Sequence, residues 1–404
     1  MLRTHLKFST NLKTVNGQCP LFELPRGLGT TGGSIETYNQ LCLATDEYVK
    51  AAAEQHAHTL DNEKNDIEIC MIASRAMSLI NSLYGQEKDV LTSIDDKEIS
   101  HIPIDDNVKI KSGESAIVSN VRKEQYLSTA SDRRYQGLLA WFREVSKTDM
   151  DEHIFAALKH SDPLTAILTA LVGGSIEKAC DLATQHGFLR LSLIIANGYQ
   201  SNRHLNVQRQ MWHENGSYSL ISLNHTRIHA ILSGDLGIEE GLYAKGDKID
   251  KLCFNWRLRL GMKLWCSNPT LLKDITQIID EYDDDVSTGL APPPEPRYRS
   301  NENALDETCI LYRLLRLRAS CGGKDGDANS SLCLALSPLG YTAFTHDYSL
   351  SFHLGAILQG LGVCPNLSDE EQGRLTENYA IMLVSRSNNY NIAQVQSCVH
   401  SFMF

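Results

Sequence analysis

Apolar residues recur at helical spacing along most of this chain. Leu164, Ile167, Leu168 and Leu171 stand at i, i+3, i+4 and i+7, the period of one helix face. Gly173-Gly174 then stop that helix, and Ser175 is placed to cap the next. Ile176, Ala179, Cys180 and Ala183 repeat the spacing, and Gly187 follows His186 where a helix end favours a left-handed residue. Phe188, Leu189, Leu191, Leu193, Ile194 and Ile195 make the third segment apolar almost all round, which predicts burial between neighbours. Short helical hairpins of this kind cannot bury their faces alone, so they predict a stack.

The same reading extends outward. A helix is expected to open near Ser34. Another is expected over 67–84, with Ile69, Ile72, Ala73, Ala76 and Ile80 as its core stripe. Residues 86–120 read as a surface loop with a short helix near 89–95. The helical pattern returns at Glu124, and Leu138, Leu139, Trp141, Phe142 and Val145 form a strongly apolar segment. Further helices are expected within 201–217 and over 226–232, 248–265, 271–282, 306–317, 348–361 and 368–384. Residues 283–298 contain Pro292, Pro293, Pro294 and Pro296 and predict an extended loop. Residues 1–34 carry Pro20, Pro25 and several glycines, and are expected to be irregular. Period-2 alternation of useful length is lacking. The pattern predicts an all-α chain of helices about 10–20 residues long, without a strict repeat, as in an irregular α-solenoid.

Composition narrows the function classes. The 404 residues are 42% hydrophobic and 22% charged, as in globular proteins. A formal net charge of −11 disfavours nucleic-acid binding, because phosphate contacts need clustered Lys and Arg. The densest basic group, Arg313, Arg316 and Arg318, reads as a solvated helix face. The eleven cysteines form no C-x-x-C pair and read as reduced, small core residues of an intracellular protein. No apolar run reaches the ~18 residues of a spanning helix, and the N-terminus lacks a signal-peptide centre.

None of the candidate chemical motifs meets its structural requirements. Gly27, Gly29 and Gly32 match G-x-G-x-x-G, but Pro25 and Arg26 precede it and no βαβ pattern surrounds it. His225 and His229 stand one helical turn apart, yet the glutamate of H-E-x-x-H is missing and no third ligand is evident. His56 and His58 do not share a helix face. The run Glu281, Asp283, Asp284, Asp285 lacks a calcium-loop framework and reads as a solvated edge. Gly173-Gly174-Ser175 has no nucleophile-elbow context. No catalytic residue, cofactor site or metal site is expected.

The order of the apolar segments resembles the nucleoporin 96 family, the carboxy-terminal product of the nucleoporin 98–nucleoporin 96 precursor, whose yeast relative is the C-terminal half of nucleoporin 145. ALVGGSIEKACDLATQHGFLRLSLIIANG (170–198) resembles the family's glycine-turned hairpin, with Arg190, Leu191 and Leu193 at matching places. TRIHAILSGD (226–235) and WRLRLGMKLWCSNP (256–269) resemble its next two landmarks. Cys266 stands where an aromatic is usual. The Pro-rich loop and residues 347–362 also have counterparts, and the likeness runs over roughly 20–385.

The resemblance implies an ancestral coatomer element, a folded-back α-solenoid. Residues 35–149 are then the outgoing trunk, 150–247 the crown, 248–364 the returning trunk, and 365–404 the truncated start of a tail. It implies a non-enzymatic scaffold in the Y-shaped outer-ring complex of the nuclear pore, at the nuclear envelope, supporting mRNA export and protein import. A vesicle-coat scaffold of the secretory pathway is the alternative built on the same element. The implied partners are nucleoporin 107 through the crown, nucleoporins 160 and 85 through the tail, and the Sec-thirteen β-propeller through a donated blade. No strand triplet is evident before residue 34, so that blade is expected to be missing or truncated. Direct nucleic-acid contact, membrane insertion and a small-molecule ligand are not implied. The expected crown interface comprises Leu164, Leu168, Leu171, Phe188 and Leu191, with Gly173, Gly174 and Gly187 as structural turns.

Overall fold

The computed structural model describes residues 10–12, 21–23, 47, 50, 64–84, 114–199, 204–234, 254–266, 275–296, 308–322, 328–360 and 369–387. The Gly27–Gly32 motif, His56, His58 and the short helix expected near 89–95 lie outside them, as does most of the helix expected from Ser34. The chain is an all-helical, solenoid-like fold, with one short antiparallel pair beside the helices. That pair, β1 (Thr10–Leu12) and β2 (Leu21–Glu23), aligns Thr10 with Glu23 and Leu12 with Leu21. At residues 10–12 and 21–23 paired strands replace the irregular chain expected there, and the rest of 1–34 lies outside the described residues.

The chain divides into two compact units. One takes residues from both ends, 1–138 and 295–404, and the other is the middle, 139–294. In the first unit, α1 (Lys64–Tyr84) buries Ile72, Ala73, Ala76 and Ile80 as its spacing predicts, and Ile69 of the same stripe is half-buried. Helix α2 (Glu114–Lys159) runs unbroken for 46 residues and contributes to both units. It replaces the loop expected at 114–120 and exceeds the expected helix lengths, while 86–113 lie outside the described residues. The physical reason is the absence of proline and the presence of only one glycine, Gly137, over that span.

Among the described residues, the first unit also holds α10 (Ile310–Gly322), α11 (Ala328–Ala335), α12 (Ser349–Gly360) and α13 (Asp369–Ser387). Helix α10 packs on α1, so a late segment of sequence covers an early one. The guanidinium of Arg318 lies 5.0 Å from the centre of the Tyr84 ring, and Arg313 donates to the Leu334 carbonyl at 2.8 Å. Those two arginines anchor the helix, and Arg316 alone is exposed as the sequence reading expects. Phe352 of α12 stacks on Tyr379 of α13 with ring centres 4.4 Å apart.

The middle unit is built on the glycine-turned stack. Helix α3 (Pro163–Val172) starts with proline in its first turn, and the Asp162 carboxylate accepts the Thr165 N–H at 3.1 Å. Its end is closed by Gly174 at φ +74°, with the Ser175 N–H reaching the Ala170 carbonyl at 2.9 Å. Helix α4 (Ile176–Gln185) ends the same way, with Gly187 at φ +81° and the Phe188 N–H on the Ala183 carbonyl at 2.8 Å. Ser175 stands at the start of α4 but its side chain makes no capping bond. Helix α5 (Leu189–Ala196) follows, then α6 (His204–Glu214), a 3₁₀ turn (Ser217–Leu220) and α7 (Leu223–Ser233).

Helix α8 (Trp256–Cys266) is the centrepiece of this unit, with nine of its eleven residues buried. It begins later than the sequence pattern predicts, because Asn255 accepts the Leu258 N–H at 3.1 Å and caps it there. Arg257 is buried yet paired. It reaches the Asp149 carboxylate at 2.5 Å, and Asn255 donates to the same oxygen at 2.7 Å. Removing one partner of such a buried pair costs about 3–5 kcal/mol, because the other charge stays behind without water.

Trp265 lies over two glycines. A Cβ at Gly174 would stand 3.1 Å from its indole, and one at Gly261 only 2.3 Å. Gly173 is likewise filled by Met150, whose Sδ would be 2.3 Å away. Helix α9 (Ile275–Ser287) then continues through the acidic run, past the expected boundary at 283, since proline first occurs at 292. Asp285 in that run pairs with Lys263 at 2.7 Å, so it is partly a packing element.

Candidate protein-interaction surface

The spacing of the histidine pair on one helix suggests chemistry. His225 and His229 lie on α7 with ring centres 4.9 Å apart, and Trp212 of α6 packs against both. His229 is buried, and neither of its ring nitrogens has a hydrogen-bond partner. Desolvation, reinforced by His225, Arg209, Arg190 and His204, pushes its pKa down to about 4. Desolvation also lowers that of His225. Both rings are therefore neutral near pH 7 and serve as packing groups. Among the described residues, no cluster of three or more His, Cys, Asp or Glu side chains could hold a metal ion.

Thiol chemistry is equally muted. Cys70, Cys180, Cys266, Cys309 and Cys333 are thiols that form no disulfide. Burial raises the pKa of Cys266 far above the ordinary range, desolvation raises Cys180, and desolvation with the Glu371 contact lifts Cys333 to about 11. Raised values leave little thiolate at neutral pH. Among the described residues, no helix is long and apolar enough to cross a membrane.

The middle unit instead presents uncovered apolar side chains. Leu189 and Leu193 of α5 are 62% and 72% exposed, and they stand one turn apart. Val207 and Met211 of α6 repeat that i, i+4 spacing in the open, and Leu220 in the 3₁₀ turn and Phe155 of α2 are also exposed. Helix α5 buries only Leu191 and Ile195. Its expected burial all round is therefore corrected. Helix α4 is the main neighbour of α5, and it covers one face.

The five expected interface residues divide accordingly. Leu168, Leu171 and Leu191 belong to the chain's own core, which removes them from any partner surface, whereas Leu164 and Phe188 are half-buried. The physical reason for the first two is that α3 is enclosed by α4, α7 and α8. Gly174 and Gly187 adopt the positive φ of helix-ending turns, and Gly173 is at φ −76°. The sequence reading looks for uncovered apolar residues within 154–171 and 188–195, which hold Phe155, Leu189 and Leu193, but does not single these out, although the spacing contained a signal. Once Leu191 and Ile195 face inward, Leu189 and Leu193 must lie on other sides of the helix.

The hairpin stack, the buried Trp256–Cys266 helix and the helices after the Pro-rich loop all fall within one family match. The model of nuclear protein 96 (Nup96) matches residues 165–393, more than half of the chain. The chain belongs to the Nup96 family. Nup96 proteins are components of the nuclear pore complex, so the chain is a nucleoporin of the nuclear envelope with a structural scaffold role. Its interaction partners include other nucleoporins. The Nup96 family is a scaffold family and not an enzymatic one, which suits a site made of apolar surface.

Proposed function

We propose that this Nup96-family chain is a non-enzymatic scaffold of the Y-shaped outer-ring complex, supporting mRNA export and protein import. In this reading 35–149 and 248–364 are the outgoing and returning trunk, 150–247 the crown and 365–404 the start of the tail. The observation that carries it is the pair of uncovered apolar ridges, Leu189 with Leu193 and Val207 with Met211, in the region that resembles the family's crown. Exposed apolar positions of this kind mark protein-interaction surfaces when they gather on one element. They are the surface offered to nucleoporin 107. The β1–β2 pair supports retention of part of the strand donation to the Sec-thirteen β-propeller, and the tail would approach nucleoporins 160 and 85.

Affinity purification of the tagged full chain tests the assignment. Nucleoporin 107 is expected to co-purify, and Leu193→Asp is expected to abolish that without lowering the melting temperature. Absence of nucleoporin 107 from the purified material, with the protein at endoplasmic reticulum exit sites, would transfer the chain to the vesicle-coat class.

A further inference from the structure

The two helices that carry exposed apolar ridges both end in Asn-Gly. Among the described residues, Asn197 and Asn215 are the asparagines that precede a glycine, and they close α5 and α6. At the end of α5 the Gly198 N–H donates to the Ile195 carbonyl at 2.8 Å, and a Cβ at 198 would meet Ile176 at 3.6 Å. At the end of α6 the Gly216 N–H donates to the His213 carbonyl at 3.2 Å, and nothing lies within 4 Å of the place a Cβ would take. Asn215 and Gly216 are both exposed, and Gly216 stands at φ +66° in the turn that leads to the 3₁₀ segment. The Asn215 N–H still reaches the Met211 carbonyl at 3.0 Å, so residue 215 continues the line of Val207 and Met211 at i, i+4 and i+8.

We propose that Asn215 is a site of spontaneous covalent modification, cyclising onto Gly216 to become aspartate or isoaspartate, and that the change weakens docking on α6. The Gly216 nitrogen gives its proton to solvent and bonds to Cγ of Asn215, while the Cγ–Nδ2 bond breaks and ammonia leaves. Water then opens the cyclic imide at either carbonyl. Water is the sole co-reactant, and nothing is oxidised or reduced. Glycine permits the ring because it has no Cβ to crowd it and its backbone turns freely. The attacking nitrogen is restrained by one long hydrogen bond at a helix end, where the last turn frays. At Asn197 a shorter bond and the Ile176 side chain hold the same atoms back. The product sets a carboxylate beside Glu214, at the negative end of the α6 dipole and in line with Met211. A carboxylate on an apolar contact must be stripped of water when a partner docks, which costs binding. Isoaspartate also lengthens the main chain by a methylene ahead of the exposed Leu220. The effect on docking rests on the reading of α6 as part of the partner surface, whereas the modification itself does not.

The test ages the full chain in warm neutral buffer, maps its peptides by mass spectrometry, and measures nucleoporin 107 binding before and after. Residue 215 is expected to lose its amide about tenfold faster than residue 197, the factor that one net hydrogen bond sets. Ageing and Asn215→Asp are both expected to weaken binding several-fold. Aged Asn215→Gln should bind as the fresh chain does, because the longer side chain closes its ring far more slowly. Asn215 is exposed, so both substitutions leave the fold intact. An intact amide at 215, or loss no faster there than at 197, would overturn the proposal. Conversion at 215 with unchanged binding, while Leu193→Asp loses binding, would overturn the link to docking. Unchanged binding by Leu193→Asp as well would remove the docking surface and leave the modification standing. A glycan on the Asn-Gly-Ser triplet at 215–217, in chain purified from its own cells, would also overturn the proposal, because it occupies the nitrogen that must leave.

Discussion

Helices α3 and α5 come from one stack, are both rich in leucine and isoleucine, and meet opposite fates. Seven of the ten residues of α3 are buried, against two of eight in α5. Helix α3 is enclosed by α4, α7 and α8, whereas α5 rests chiefly on α4. Apolar content therefore shows that a helix seeks cover, and the neighbours decide whether the chain supplies that cover itself. In a scaffold protein the uncovered remainder is the functional part.

The most severe break in this contrast is Leu168→Asp. It places a charge at a site that is 1% exposed, so the middle unit is expected to lose more than about 4 kcal/mol and to melt as a separate early transition in calorimetry. Gly261→Ala ranks second. The new methyl would meet the Trp265 ring at 2.3 Å, an overpacking expected to cost roughly 1–3 kcal/mol in chemical denaturation.

Acid comes third. The folded-state pKa of His229 lies at about 4, below its ordinary 6.5, so the unfolded chain binds the proton first. Stability is then lost as pH falls from 6.5 towards 4, with Arg209, Arg190, His204 and His225 as the charges that oppose protonation. The melting temperature should drop over that window, and His229→Leu should flatten the drop. The mildest change is Leu193→Asp, expected within about 0.5 kcal/mol of wild type because the side chain already stands in water. Circular dichroism melts of these variants would erase the contrast if Leu193→Asp proved as damaging as Leu168→Asp.

Much of the fold was legible in residue spacing. The core stripe of α1, the two glycine turns of the stack and the burial of Leu138, Leu139, Trp141, Phe142 and Val145 all follow from helical period and terminator chemistry. Boundaries were harder, because one side chain decides them. Asn255 starts α8 late, and the lack of a breaker extends α2 and α9. The interface residues were the least legible. Leu191 and Leu193 are the same residue type two positions apart, and their exposures differ because α4 lies on one side only. Spacing identifies which residues share a face, and packing alone identifies which face is left open.

The indole of Trp265 carries a consequence for how this sequence can change. Trp265 occupies the volume that side chains at Gly174 and Gly261 would need. Position 261 is therefore not free to vary while the tryptophan stays. With Trp265→Leu in place, Gly261→Ala should become nearly neutral, and a double-mutant cycle should show strong non-additivity. Gly174 has a second constraint in its positive φ, so the same suppressor should rescue Gly174→Ala only in part. The helix-ending glycine and the mid-helix glycine thus form one unit of inheritance with a residue far from Gly174 in sequence.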